Sequence, residues 1–190
     1  AALTDADLPT LAIRPYPEQY TCSFVLADGA AVRIRPIRPE DEPLMVHFHE
    51  KLSQESVHLR YLENLKLGQR TAHERLMRIC FIDYDREMVL VAVWASGTGD
   101  EIVAVGRLSK FHGNNDAEFA ILIRDDFQRR GLGTRLLSKL LEIARIERID
   151  HVVGFILAGN SAMQKIADRL DFTLDFTSDP DLVIATKAMV

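Results

Sequence analysis

Residues 121–134 read Ile121-Leu122-Ile123-Arg124-Asp125-Asp126-Phe127-Gln128-Arg129-Arg130-Gly131-Leu132-Gly133-Thr134. An apolar, strand-like run passes through a short charged loop into a helix expected over about Gly131–Glu147. Leu136, Leu137, Leu140, Leu141 and Ala144 recur on one face of that helix. The first N–H groups of a helix have no intrahelical partner, and together with the helix dipole they favour an anion. Gly131 and Gly133 allow a phosphate to approach the backbone with no side chain in the way. The stretch therefore reads as a diphosphate site, the alternative being two packing glycines beside a solvated arginine pair. No Gly-Lys-Ser/Thr follows, which excludes an NTPase P-loop, and the Gly-x-Gly-x-x-Gly of dinucleotide sites is incomplete.

Upstream, Cys22–Leu26, Asp28-Gly29 and Ala31–Arg35 predict a hairpin with the Asp-Gly pair at its turn. Leu44, Met45, Phe48 and Leu52 make a helical stripe. Further helices are expected from about Gln54 to Leu62 and from Arg70 to Cys80. Strands follow at Met88–Trp94, Ile102–Leu108 and Ala117–Ile123, separated by Gly/Asn/Asp turns. After the long helix come a strand over His151–Leu157 and a helix to about Leu170, expected to be capped by Ser161 with Gln164. Short strands near Thr173–Phe176 and Leu182–Thr186 close the chain. This order is α/β, with one strand–helix–strand crossover and a mixed sheet flanked by helices.

The 190 residues, 47% apolar, suffice for one domain with a real core. The division expected is a linker or tail over 1–20 and a single domain over 21–190. A net charge of −5 argues against non-specific nucleic-acid binding. No apolar run approaches the ~18 residues that a membrane helix needs. Two cysteines, Cys22 and Cys80, make neither a disulfide scaffold nor a zinc site, so a reducing cytoplasm is the expected location. The first residues lack the character of a signal peptide and do not begin with Met, which suggests a piece of a longer chain. No metal site is expected: His47 and His49 fall on different faces of a helix, and the other histidines have no ligand spacing.

The pattern Gln128-x-x-Gly131-x-Gly133 between a strand and a long helix resembles the GNAT acetyltransferases. The resemblance implies the GNAT acyl-CoA N-acyltransferase fold and acetyl-CoA as co-substrate. It places the coenzyme pyrophosphate on residues 128–134, the pantetheine arm along Ile121, Leu122 and Ile123, and a coenzyme-contacting role on Asn160. The stretches Ile34-Arg35-Pro36-Ile37-Arg38-Pro39-Glu40-Asp41-Glu42, Leu52-Ser53-Gln54-Glu55-Ser56, Asp83–Met88 and Ala117-Glu118-Phe119-Ala120 resemble the Pat-type bacterial protein lysine acetyltransferases. In that branch the domain often follows an acyl-CoA-synthetase-like region, whose tail Leu11–Pro17 resembles, and acyl-CoA synthetases are typical targets.

Glu118 sits in a strand, on the opposite face from Phe119, Ile121 and Ile123. It is either a solvated carboxylate or a functional one. A lysine amine, with a pKa of about 10.4, arrives protonated and needs a base before it can attack a thioester. The resemblance gives that role to Glu118, with backbone N–H groups near Leu122 and Ile123 stabilising the oxyanion. Asp83, Asp85 and Glu87 form a second acidic set, read mainly as a polar loop. Two departures stand out: many relatives have a proton-donating Tyr where Ala167 stands, and Asp171-Phe172 replaces the usual Gly-Phe. Protein lysine is the leading acceptor. A small amine, or a non-catalytic acyl-CoA-sensing role beside a synthetase, are the other readings.

Overall fold

The computed structural model describes residues 15–61 and 65–189. Its fourteen α-helices and strands follow the expected order: β1 (Cys22–Val25), β2 (Ala31–Pro36), α1 (Glu42–Glu50), α2 (Gln54–Tyr61), α3 (Leu67–Arg70), α4 (His73–Cys80), β3 (Glu87–Ser96), β4 (Gly99–Lys110), β5 (Ala117–Ile123), α5 (Leu132–Ile146), β6 (His151–Leu157), α6 (Ser161–Arg169), β7 (Thr173–Asp175) and β8 (Leu182–Ala188). The strands form one eight-stranded sheet in the order β1-β2-β3-β4-β5-β6-β8-β7. Every neighbouring pair is antiparallel except β5 and β6, the two strands joined by the α5 crossover.

A core lies on each face of the sheet. Leu136, Leu137, Leu140 and Ala144 of α5 are fully buried against Leu90, Ala104, Ala117 and Phe119. On the other face Met45 and Phe48 of α1, Val57 of α2 and Leu76 and Cys80 of α4 pack on Val89, Val91 and Leu122. Val103 is an extra residue in β4 that puts Val103 and Ala104 into the same core, so the strand's alternation breaks there. Burial drives the Cys80 thiol up to about 12, so it is packing rather than nucleophile.

Two sequence expectations are corrected. The helix expected over Arg70–Cys80 divides at Thr71 and Ala72 into α3 and α4. The cap of α6 is Asn160, whose Oδ1 accepts from Met163 N at 3.1 Å. Gln164 reaches instead to the carbonyls of Leu157 and Ala158.

Residues 1–14 of the expected linker lie outside the described residues, but 15–20 fold onto the domain. Tyr20 is buried, and the Tyr16 hydroxyl donates to Pro36 O at 2.9 Å. Arg35 and Asp41, both buried, form a bidentate pair at 2.7 and 2.6 Å that ties β2 to the turn before α1. Among the described residues no helix is long and apolar enough to cross a membrane.

Candidate active site

The sheet opens where β5 leaves β6. The two strands pair only at Ala117↔Val152 and Glu118↔Val153, whereas β6 stays paired with β8 from His151 to Leu157. Gly154 marks the start of the divergence: a Cβ there would lie 2.2 Å from the Phe119 ring. The ring thus lies against bare backbone and edge-on to Phe172, with centroids 5.3 Å apart.

Beyond Glu118, the open edge of β5 borders a cleft of about 400 Å³ between α2 and α6. Its walls are Ser56, Leu59 and Arg60 of α2, Ile121 and Ile123 of β5, and Met163 and Ile166 of α6. At one end stand Gln128, Arg129, Gly131, Gly133 and Thr134. A second space of about 280 Å³ continues from it past Asn160 to Glu118 and Tyr61. One trough thus runs from the glycine loop to the Glu118 carboxylate, and Leu59, Arg60, Ile121, Asn160 and Met163 line both parts.

The glycine loop has the geometry of an anion cradle. Gly131 is the residue before α5 and takes φ +86°, a left-handed conformation open to glycine without strain. It carries no side-chain cap, and the first intrahelical bond is Arg135 N to Gly131 O. The N–H groups of Leu132, Gly133 and Thr134 therefore lack helical partners, as an incoming diphosphate requires. Arg129, at φ 58°, adds a cation at the same end. These features fit the pyrophosphate of a coenzyme A thioester.

Several expected contacts shift. Leu122 points into the core under α1 and α4, because its neighbours in β5 take the cleft face. Leu132 is buried against the sheet. Arg130 pairs with Asp28 at 2.5 Å and stacks over Phe127, so its side chain also stands outside the cleft. Gln128 donates to Ser56 Oγ at 3.0 Å and to Ile123 O at 3.2 Å, bracing the end of β5 against α2.

The oxyanion donors move as well. Arg124 N donates to Val103 O, so ladder alternation turns the Leu122 N–H toward β4 as well. Ile121 and Ile123 present their N–H groups on the other edge, which β6 has left open.

Asp83 and Asp85 shape the turn before β3, and Glu87 pairs with Arg107. Ala167 is buried in the core, so that position offers no proton donor. Asp171 takes φ 58°, and Asp171 N to Asp168 O with Phe172 N to Ala167 O closes α6 as a glycine would. Among the described residues no group of three or more His, Cys, Asp or Glu is placed to hold a metal.

Sequence reasoning missed the α2 wall of Ser56, Leu59, Arg60 and Tyr61. Burial holds the Arg60 guanidinium below its usual pKa; Tyr61 and Glu118 oppose this, while Arg107 and Arg75 reinforce it. Arg60 and Glu118 are therefore electrostatic neighbours.

Residues 31–173, which hold the glycine loop, Glu118 and the α2 and α6 walls, match the family model of the acetyltransferase (GNAT) domain. The chain belongs to the GNAT acetyltransferase family. Another member from Pseudomonas aeruginosa, named only as an acetyltransferase, is 31% identical over 82% of this chain and 81% of its own length. The acetyltransferase Pat of Mycolicibacterium smegmatis is 28% identical over 83% of this chain; the match spans 44% of Pat. The GNAT domain of S. lividans PAT superposes with a TM-score of 0.80 at 25% identity, covering 92% of this chain and 99% of that domain. As a GNAT enzyme the chain transfers an acetyl group.

Proposed function

We propose that this GNAT domain acetylates the ε-amine of a lysine on a protein, acyl-CoA synthetases being the first candidates, with acetyl-CoA as donor and Glu118 as general base. One observation carries the base assignment. Glu118 is the last residue of β5 paired with β6, so its carboxylate meets the trough next to the backbone edge opened by the divergence. The pyrophosphate would rest on the N–H groups of 132–134, leaving the thioester to run along Ile123 and Ile121 toward Glu118.

Glu118, directly or through a water, takes the proton from the ammonium group. The neutral amine then attacks the thioester carbonyl, and the Ile121 and Ile123 N–H groups face the developing oxyanion. The thiolate leaves as the C–S bond breaks and takes up, directly or through water, the second proton that the nitrogen gives up as the amide forms. The likeness to Pat supports a protein acceptor, and the −4 charge of residues 168–181 suits a basic surface around the target lysine. A cytoplasmic location, and residues 1–20 as a linker or the tail of a preceding region, belong to the same reading.

The test is Glu118→Gln. Thiol release with a lysine acceptor should fall by about 10²–10⁴-fold, the range of general acid–base catalysis, with the dissociation constant for CoA within about twofold. Unchanged turnover would remove Glu118 from the mechanism, and a mass shift on a synthetase lysine after incubation with acetyl-CoA is the direct check on the acceptor.

A further inference from the structure

Behind Glu118 the face of β5 that carries Ala120 borders a small, mostly apolar cavity of about 50 Å³. It shares Arg60, Tyr61 and Ala120 with the trough and is walled by His49, Arg75 and Arg107. By the same kind of volume a single water needs about 10–15 Å³, so a small group fits.

The polar lining is unbalanced. His49 is 1% exposed, and neither ring nitrogen has a hydrogen-bond partner. Burial, with Arg70, Arg75 and Arg60 nearby, takes this imidazole down to about 4, so it stands neutral at pH 7, its free N–H available to donate. Arg107 is paired with Glu87, but among the described residues neither Arg60 nor Arg75 has a hydrogen-bond or ion-pair partner. The Arg60 and Arg75 guanidinium groups lie 5.0 and 5.2 Å from the centre of the Tyr61 ring. Glu118 is the acid that acts on Arg60, and among the described residues none pairs with Arg75; partly buried guanidinium groups short of an anion are costly, and a planar carboxylate is the group they pair with best.

We infer that this cavity holds a carboxylate carried by the acceptor, fixing it while its amine meets Glu118. The inference rests on the acetyl-transfer reading above and adds a chemical requirement on the acceptor. A cluster of cations would repel a lone ammonium; an acceptor bearing both charges satisfies Arg60 and Arg75 as well as Glu118. The carboxylate comes either from a free amino acid or from an acidic side chain beside a target lysine.

The test compares each carboxylate with its neutral amide. One arm uses ω-amino acids from glycine to 6-aminohexanoate against their primary amides. The other uses peptides in which lysine is flanked by Glu or by Gln. Turnover is read as kcat/KM from thiol release, and binding separately by calorimetry on the CoA-bound protein. The carboxylate form should be preferred at least tenfold in one arm, which identifies its source.

Arg75→Gln should reduce that preference to under threefold, and Arg75→Lys should keep part of it. A preference equal in wild type and Arg75→Gln, or no preference in either arm, overturns the cavity assignment even if acetyl transfer proceeds. Arg75-dependent carboxylate binding without turnover of any amine would instead retain the cavity and defeat the acetyl-transfer reading.

Discussion

Ser53 and Asp125 are joined by two hydrogen bonds beside the Ser56 wall of the cleft: Ser53 N donates to Oδ2 at 3.0 Å and Ser53 Oγ to Oδ1 at 2.6 Å. Ser56 Oγ adds a third at 2.9 Å, and Gln128 in turn donates to Ser56. Burial works against the Asp125 charge, but the serine hydrogen bonds outweigh it and lower its pKa. The carboxylate therefore anchors the start of α2, and with it Arg60 and Tyr61, to the turn preceding the glycine loop.

Removing that anchor should loosen the coenzyme end of the cleft. Asp125→Ala is expected to cost about 1–3 kcal/mol, the usual penalty for stranding hydrogen-bond donors. The KM for acetyl-CoA should rise several-fold because the α2 wall no longer holds its place. Urea unfolding and initial-rate kinetics check the two effects separately, and a loss of stability with unchanged KM would mean that α2 does not shape the donor site.

The two glycines at opposite ends of the trough separate binding from folding. Gly131→Ala forces a side chain into the left-handed region, where L-residues lose about 1–2 kcal/mol. An added Cβ there meets nothing closer than Phe24 at 3.6 Å, so the effect should fall on the loop and weaken CoA binding. Gly154→Ala collides with the Phe119 ring at 2.2 Å and should cost about 1–3 kcal/mol of stability through overpacking. Calorimetric titration with CoA and thermal unfolding of both variants distinguish these outcomes.

Much of this was legible because it is local in sequence. Residues 117–134 show a strand, a turn and a helix start within eighteen positions, and the need for glycine at 131 arises from the backbone next to it. Asp171-Phe172 looked like a departure, yet Asp171 simply adopts the glycine conformation. The α2 wall was not legible, because nothing in Gln54–Tyr61 distinguishes the Arg60 that reaches the cleft from a solvated arginine. His49 and Arg75 come together only when α1 packs on α4. The divergence of β5 from β6 is a property of pairing, which no single segment encodes, and the Leu122 error followed from treating three successive strand residues as if they shared one face.

Acid should weaken the protein partly through Glu101. Its carboxylate accepts from Lys51 at 2.8 Å and from buried Arg124 at 2.5 Å, and those hydrogen bonds hold its pKa at about 2. Because the folded value lies below the ordinary Glu value, the stabilisation is present above about pH 5 and is lost as pH falls toward 2. Glu101→Gln should therefore be less stable than wild type at pH 7 by about 1–3 kcal/mol. The difference should shrink at pH 3 and below. Urea melts at the two pH values test this, and a constant gap would show that the Glu101 charge is not what Arg124 requires.

The acidic C-terminal segment makes a separate claim about the acceptor. Asp175 is committed to its own turn, accepting from Thr177 N, Thr177 Oγ and Ser178 Oγ, and these bonds pull its pKa down to about 2. Asp171 lies 3.6 Å from Lys187. Asp175 stays anionic with its charge uncancelled, and the acids nearest in sequence to Leu182, which lines the Glu118 end of the trough, are Asp179 and Asp181. Exposed charges act through the long-range field and are screened by salt, with a Debye length of about 10 Å at 0.1 M. Asp179→Asn with Asp181→Asn should therefore lower kcat/KM for a folded protein acceptor a few-fold at low ionic strength and flatten its salt dependence. The rate with a short peptide should barely change. Identical salt profiles for the variant and the wild type would mean that this rim has no part in drawing the acceptor in.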